Sequence, residues 1–144
     1  MDITHGKYLG VDYGDVRTGL ADCDLSGQIA SAIGTVKEGG MKNTAVRVAR
    51  EAESRGCKKI VVGLPKNMDG SEGTRAEVIR AFAALLAEQT AIPIDFFDER
   101  MTTMSAYRYL DATATYGKAR RAAVDALSAE LILQGYLDRE RAKK

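Results

Sequence analysis

Short apolar runs bounded by turn-forming residues open the chain, and residues 7–13, 17–22 and 29–36 each read as a strand. The turn signals Tyr13-Gly14-Asp15 and Leu25-Ser26-Gly27 leave only short connections, which predict an antiparallel meander. After Gly39-Gly40 the period changes. Ala45, Val48, Ala49 and Ala52 recur at helical spacing, and Gly56 stands where a left-handed cap would end that helix. Residues 58–64 read as a strand whose continuous apolar run, from Ile60, suits burial on both faces, and run into Pro65 and the polar loop Lys66-Asn67-Met68-Asp69-Gly70-Ser71. Thr74-Arg75-Ala76-Glu77 has the spacing of a capping box, which predicts a helix with Val78, Phe82, Leu85 and Leu86 on its core side. Residues 92–97 predict another strand, leading directly into Asp98-Glu99-Arg100. Helical periodicity resumes over 105–112, a looser segment covers 113–118, and a last helix is expected over about 121–139. Three meandering strands followed by alternating helix and strand predict an α/β fold with a mixed sheet, its later strands parallel and joined by right-handed crossovers.

Composition narrows the classes. A chain of 144 residues with 45% hydrophobic content suits one domain, expected over 1–144 with a short mobile segment at about 1–6 and a basic tail at about 139–144. No apolar stretch approaches a bilayer span and the N-terminus lacks the pattern of a secretory signal, so a soluble cytoplasmic protein without a membrane partner is expected. Cys23 and Cys57 form no paired motif and read as buried structural thiols. His5 is the only histidine, which removes most zinc sites and every histidine-based triad. The net charge of +1 announces no polyanion partner, but Lys118, Arg120 and Arg121 cluster just before the last helix, where a helix dipole does not call for cations.

Chemistry enters with the acids. Asp12 sits in an otherwise apolar strand, and a carboxylate is costly to bury alone. A metal ion, a phosphate-bearing ligand, a compensating donor or simply the amides of the turn could satisfy it. Asp98 and Glu99 stand at the C-terminal end of the last strand, where ligands gather in open sheets with parallel strands. Asp125 shares a helical stripe with Ala122, Ala129, Ile132 and Tyr136, so it is expected to face the sheet, with Arg121 one turn away as a partner. Carboxylates brought together repel one another, and a hard divalent cation, magnesium or manganese, would compensate them. Such a site without histidine points toward phosphodiester chemistry, although acids at strand ends also make structural ion pairs with arginines such as Arg100.

Four motifs occur in order along nearly the whole chain. They are Leu9-Gly10-Val11-Asp12-Tyr13-Gly14 with Arg17-Thr18-Gly19; Val61-Val62-Gly63-Leu64-Pro65-Lys66-Asn67-Met68-Asp69-Gly70-Ser71; Asp98-Glu99-Arg100-Met101-Thr102-Thr103; and Val124-Asp125-Ala126-Leu127-Ser128-Ala129 with Ile132-Leu133-Gln134-Gly135-Tyr136-Leu137. Together they resemble the YqgF family, also called RuvX, a bacterial family of Holliday junction resolvases. The resemblance implies an RNase H-like three-layer fold, its mixed five-stranded sheet in the order 3-2-1-4-5 and flanked by helices. It also implies a Mg²⁺- or Mn²⁺-dependent nuclease acting on structured nucleic acid, either in 5′-end processing of pre-16S rRNA during ribosome biogenesis or in resolving branched DNA during recombination. The family's acids fall on Asp12, Glu99 and Asp125 as catalytic and metal-holding residues, with Asp98 in reserve. The expected substrate contacts are Lys66, Asn67, Arg100, Lys118, Arg120 and Arg121. Ala119, Ala122 and Ala123 thin the basic run, which weakens its electrostatic grip on a junction. A two-fold symmetric junction would favour a homodimer.

Two other classes compete on the residues alone. An Asp-x-Gly hairpin also embraces ATP phosphates in phosphotransferases of the sugar kinase and actin type, but those folds need two related domains. A nucleic-acid-binding or partner-binding module with little catalysis would use the same surface.

Overall fold

The computed structural model describes residues 6–101 and 118–143, with the backbone alone for 101 and 118–124. In chain order the elements are β1 (Lys7–Asp12), β2 (Thr18–Cys23), β3 (Ala30–Val36), α1 (Met41–Ser54), β4 (Cys57–Leu64), α2 (Thr74–Gln89), β5 (Ile94–Asp98), a 3₁₀ turn (Glu99–Met101) and α3 (Lys118–Ala142). The helix expected over 105–112 and the N-terminal segment with His5 lie outside the described residues.

The five strands form one sheet in the order β3-β2-β1-β4-β5. β1 pairs antiparallel with β2 and β2 with β3, whereas β4 runs parallel to both β1 and β5. This is the order that the family resemblance implies. The two faces of the sheet follow the period of two along each strand. Leu9, Val11, Ile60, Val62 and Leu64 point to one side, where Ala45, Val48 and Ala52 of α1 and Ile79, Phe82 and Leu86 of α2 complete a core. Ala21, Val61 and Phe97 point to the other side and meet Ala129, Ile132, Leu133, Tyr136 and Leu137 of α3. Each fully buried side chain such as Phe82 stabilises this arrangement by about 1.5–3 kcal/mol.

α1 ends as its sequence predicts, with Gly56 at φ +68° and its N–H bonded to the Glu53 carbonyl at 3.1 Å. The start of α2 corrects the capping-box reading. Thr74 is already helical, Gly73 is the N-cap, and no side chain caps this terminus. Glycine serves there because Glu77 N–H reaches the Gly73 carbonyl at 3.2 Å through the backbone. The core side of α2 is correspondingly Ala76, Ile79, Phe82, Ala83 and Leu86, with Val78 and Leu85 packed at its edge.

α3 lies unusually close to the sheet because glycines stand beneath it. A Cβ on Gly10 would meet Leu133 Cβ at 2.7 Å, and one on Gly63 would meet Ile132 Cγ1 at 3.0 Å. At the far end the Tyr136 hydroxyl donates to Asp95 Oδ2 at 2.8 Å and accepts from Lys59 Nζ at 2.7 Å, so the buried phenol is satisfied. Gln134 and Glu130 accept from the edge-strand amides Ala30 N and Ala32 N, each at 2.9 Å. These contacts fix where α3 carries its N-terminal residues over the sheet.

Candidate active site

Period-two alternation in β1 sends Leu9 and Val11 to the α1–α2 side and Asp12 to the α3 side, at the strand's last position. Its partner across the ladder is Gly19, and a Cβ there would stand 2.6 Å from the Asp125 carbonyl carbon. The absent side chain at Gly19 therefore lets α3 bring Asp125 down beside Asp12. Glu99 arrives from the other direction, at the end of β5, with its Cγ 3.4 Å from where a Gly63 Cβ would be. A cavity of about 210 Å³ results, lined by Asp12, Glu99 and Asp125 together with Arg17, Arg75 and Tyr13. Three acids from segments far apart in sequence thus share one wall-to-wall space. Asp12 is 8% exposed, so the pocket screens its charge poorly.

The same geometry separates Glu99 from Asp98. Arg100 grips Asp98 through Nε at 3.0 and 3.1 Å and through Nη2 at 2.6 Å, which holds the Asp98 carboxyl below the usual carboxylate range. Asp98 is committed to that pair. Arg100 also donates to the carbonyls of Asn67 and Met68, at 3.4 and 3.2 Å, so it fastens the loop after β4 rather than standing free. Within that loop Asn67 N–H meets the Ser71 carbonyl at 2.8 Å and the Asn67 amide donates to Ser71 Oγ at 3.0 Å. Lys66 and Asn67 follow Pro65, which lines the cavity, without lining it themselves. Lys118, Arg120 and Arg121 fall on the first turn of α3, with side chains outside the described residues.

Two arginines absent from the expected substrate contacts line the cavity. Arg17 Nε pairs with Asp125 Oδ2 at 3.1 Å; the Arg121 side chain, expected as a partner of Asp125, lies outside the described residues. Arg75, in the first turn of α2, donates to the Tyr13 carbonyl and to Asp15 Oδ1, both at 2.9 Å, and so braces the β1–β2 turn. Burial and Asp15 push the Tyr13 phenol up, against the opposing effect of Arg75. Arg17 had a readable signal. A Cβ on Gly14 would meet the Arg17 carbonyl carbon at 3.3 Å, so the Asp-x-Gly-x-x-Arg spacing folds residues 12 and 17 back onto one cavity. Arg75 had none, because its partners lie 60 and 62 residues away.

An all-carboxylate set without imidazole or thiolate suits a hard cation such as magnesium or manganese. The donor chemistry fits, and among the described residues no three of His, Cys, Asp and Glu are yet gathered tightly enough to hold a metal ion. Among the described residues that line the cavity, three carboxylates stand against two guanidinium groups, an excess of negative charge that would repel a phosphate unless a cation joined it. No helix among the described residues is long and apolar enough to cross a membrane.

Comparison with known proteins places this geometry. Residues 6–139 match the family model RuvX, described as Holliday junction resolvase. A protein of Phenylobacterium zucineum named "Putative pre-16S rRNA nuclease" is 44% identical over 135 residues, covering 92% of this chain and 86% of that one. A protein of Clostridioides difficile with the same name is 38% identical over 133 residues, covering 92% and 94%. Among solved structures, RuvC of Thermus thermophilus in complex with Holliday junction substrate superposes with a TM-score of 0.59 at 13% identity, covering 95% of this chain and 96% of that one. The Fowlpox virus resolvase in complex with Holliday junction DNA superposes with a TM-score of 0.54 at 12% identity, covering 93% and 98%. At such identities the structural likeness speaks for a shared RNase H-like fold.

Proposed function

Because the chain belongs to the RuvX family of Holliday junction resolvases, we propose that it is a nuclease that hydrolyses phosphodiester bonds of structured nucleic acid in the cavity between β1, β5 and α3. The observation that carries this reading is the meeting of Asp12, Glu99 and Asp125 from three distant segments in one polar space. When bound by these carboxylates, Mg²⁺ or Mn²⁺ supplies charge neutralisation and Lewis acidity toward a phosphate oxygen. The remaining roles belong to the chain itself. Arg17 and Arg75 present guanidinium groups suited to the non-bridging phosphate oxygens. The glycine-lined seat of α3 fixes the acids against the sheet, so the reacting phosphate meets a preorganised wall. Lys66 and Asn67, next in sequence to Pro65, with Lys118, Arg120 and Arg121 at the start of α3, would hold the flanking backbone.

The names of the curated relatives support precursor 16S rRNA as the substrate, and our reading is that the chain processes its 5′ end in the cytoplasm. The test is parallel cleavage of a labelled 5′ pre-16S fragment and a four-way DNA junction, with Mg²⁺ or Mn²⁺ and with EDTA. Metal-dependent cleavage of the RNA that disappears in Asp12→Asn supports the reading. Cleavage of the junction alone moves the substrate to branched DNA, for which two copies of the chain would match the two-fold junction, and sedimentation would then show a dimer. Cleavage of neither, with binding retained, leaves a binding module in place of a nuclease.

A further inference from the structure

The guanidinium of Arg17 occupies a place in the cavity that raises a question about Asp125. The pair is formed through Nε alone at 3.1 Å, with the arginine side chain 19% exposed and the carboxylate 32% exposed. It joins the end of the β1–β2 turn to α3 across 108 residues of sequence, inside the space that also holds Asp12 and Glu99. The backbone of Arg17 is fixed by its packing on Gly14, and Thr18 Oγ1 accepts the Gly14 N–H at 3.4 Å, so the root of the side chain is held. What can move is the guanidinium. Among the described residues the three acids stand round the cavity without closing into a cluster able to hold a metal.

We infer that Arg17 is a positioning residue that holds Asp125 by its charge and exchanges that carboxylate for a substrate phosphate when a divalent cation joins the acids. The inference rests on the nuclease reading and deepens it. One arginine then serves two anions in turn. While it pairs with Asp125 it offsets part of the repulsion among the carboxylates and competes with the cation for the same oxygen. Once the cation is bound, the negative excess of the cavity is reversed and a phosphate becomes the better partner for the freed guanidinium. Cation and nucleic acid would therefore bind with positive coupling, each favouring the arrangement that the other needs.

The experiment uses the full chain. Calorimetric titration with MnCl₂, without nucleic acid, compares wild type, Arg17→Gln and Arg17→Lys, with Arg17→Met as a second charge-free variant and circular dichroism to verify folding. Removing one positive charge about 5 Å from a divalent ion is expected to tighten Mn²⁺ binding about tenfold even at the dielectric constant of water. Arg17→Lys keeps the charge and should stay near wild type. Fluorescence anisotropy with a cleavage-resistant labelled four-way junction and pre-16S fragment should show, in MnCl₂, weaker binding by the charge-free variants and a salt slope reduced by about one, and in EDTA little difference from wild type. Unchanged or weaker Mn²⁺ binding in folded Arg17→Gln and Arg17→Met overturns the inference and leaves the nuclease reading intact. Absence of Mn²⁺ binding and of metal-dependent cleavage in wild type overturns both.

Discussion

Gly19 is where a single methyl group tests whether the seat of α3 sets the chemistry. In Gly19→Ala the new Cβ would stand 2.6 Å from the Asp125 carbonyl carbon and 3.2 Å from Ala126 N. Non-bonded carbon atoms settle at about 3.5 Å or more, so the helix must retreat by about 1 Å at the residue that carries the acid. Overpacking of this kind costs about 1–3 kcal/mol, which would appear as a fall of several degrees in Tm. A displacement of about 1 Å at a reacting centre costs about 100-fold in rate. Gly10→Ala is the control, because its Cβ would meet the same helix farther along, 2.7 Å from Leu133 Cβ and 2.9 Å from the Ala129 carbonyl. Both variants should lose comparable stability, but Gly19→Ala should lose about 100-fold in kcat/KM and Gly10→Ala less than about tenfold. The assay is single-turnover cleavage of the labelled pre-16S fragment below both melting temperatures. A folded Gly19→Ala that cleaves within about twofold of wild type would refute the positioning argument.

Asp12→Asn should abolish cleavage while leaving the melting temperature unchanged or higher, since one of the mutually repelling acids is neutralised; calorimetry and gel cleavage assays check both halves. Arg100→Ala removes the donors to the Asn67 and Met68 carbonyls, so amide exchange in residues 66–72 should accelerate while the protection of β1 and β4 is kept, with a stability change of about 1 kcal/mol or less. Burial pushes the Cys57 thiol up to about 11, from 9.0, and burial and Asp95 raise the Tyr136 phenol as well. Both neutral forms favour the fold fully below the ordinary pKa, and that contribution is lost as pH rises through the raised one. Urea midpoints should therefore fall from pH 9 toward about pH 11, less steeply in Cys57→Ala, with thiolate absorbance reporting Cys57 directly.

The strands and the two cores were legible because each depends on a local period. Leu9 and Val11 against Gly10 and Asp12, or Val61 and Gly63 against Ile60 and Val62, sort onto opposite faces by alternation alone. The sheet order came from the family resemblance, since short turns specify neighbours among the first three strands but leave the crossovers open. The placement of Asp125 toward the sheet was readable from its small and apolar helical neighbours. Its pairing with Arg17 was not, because that contact depends on how closely Gly19 lets the helix descend. The α2 terminus misled for a related reason: a Thr-x-x-Glu spacing looks alike whether threonine caps the helix or already belongs to it, and here the backbone of Gly73 caps.

The most direct test of the cavity as the reacting centre is anomalous diffraction from crystals of the full chain grown with MnCl₂. The account expects one or two manganese peaks among the carboxylates of Asp12, Glu99 and Asp125, with Arg17 withdrawn from Asp125, and their loss in Asp12→Asn crystals. Manganese bound elsewhere on the chain while these three acids remain without it would contradict the account.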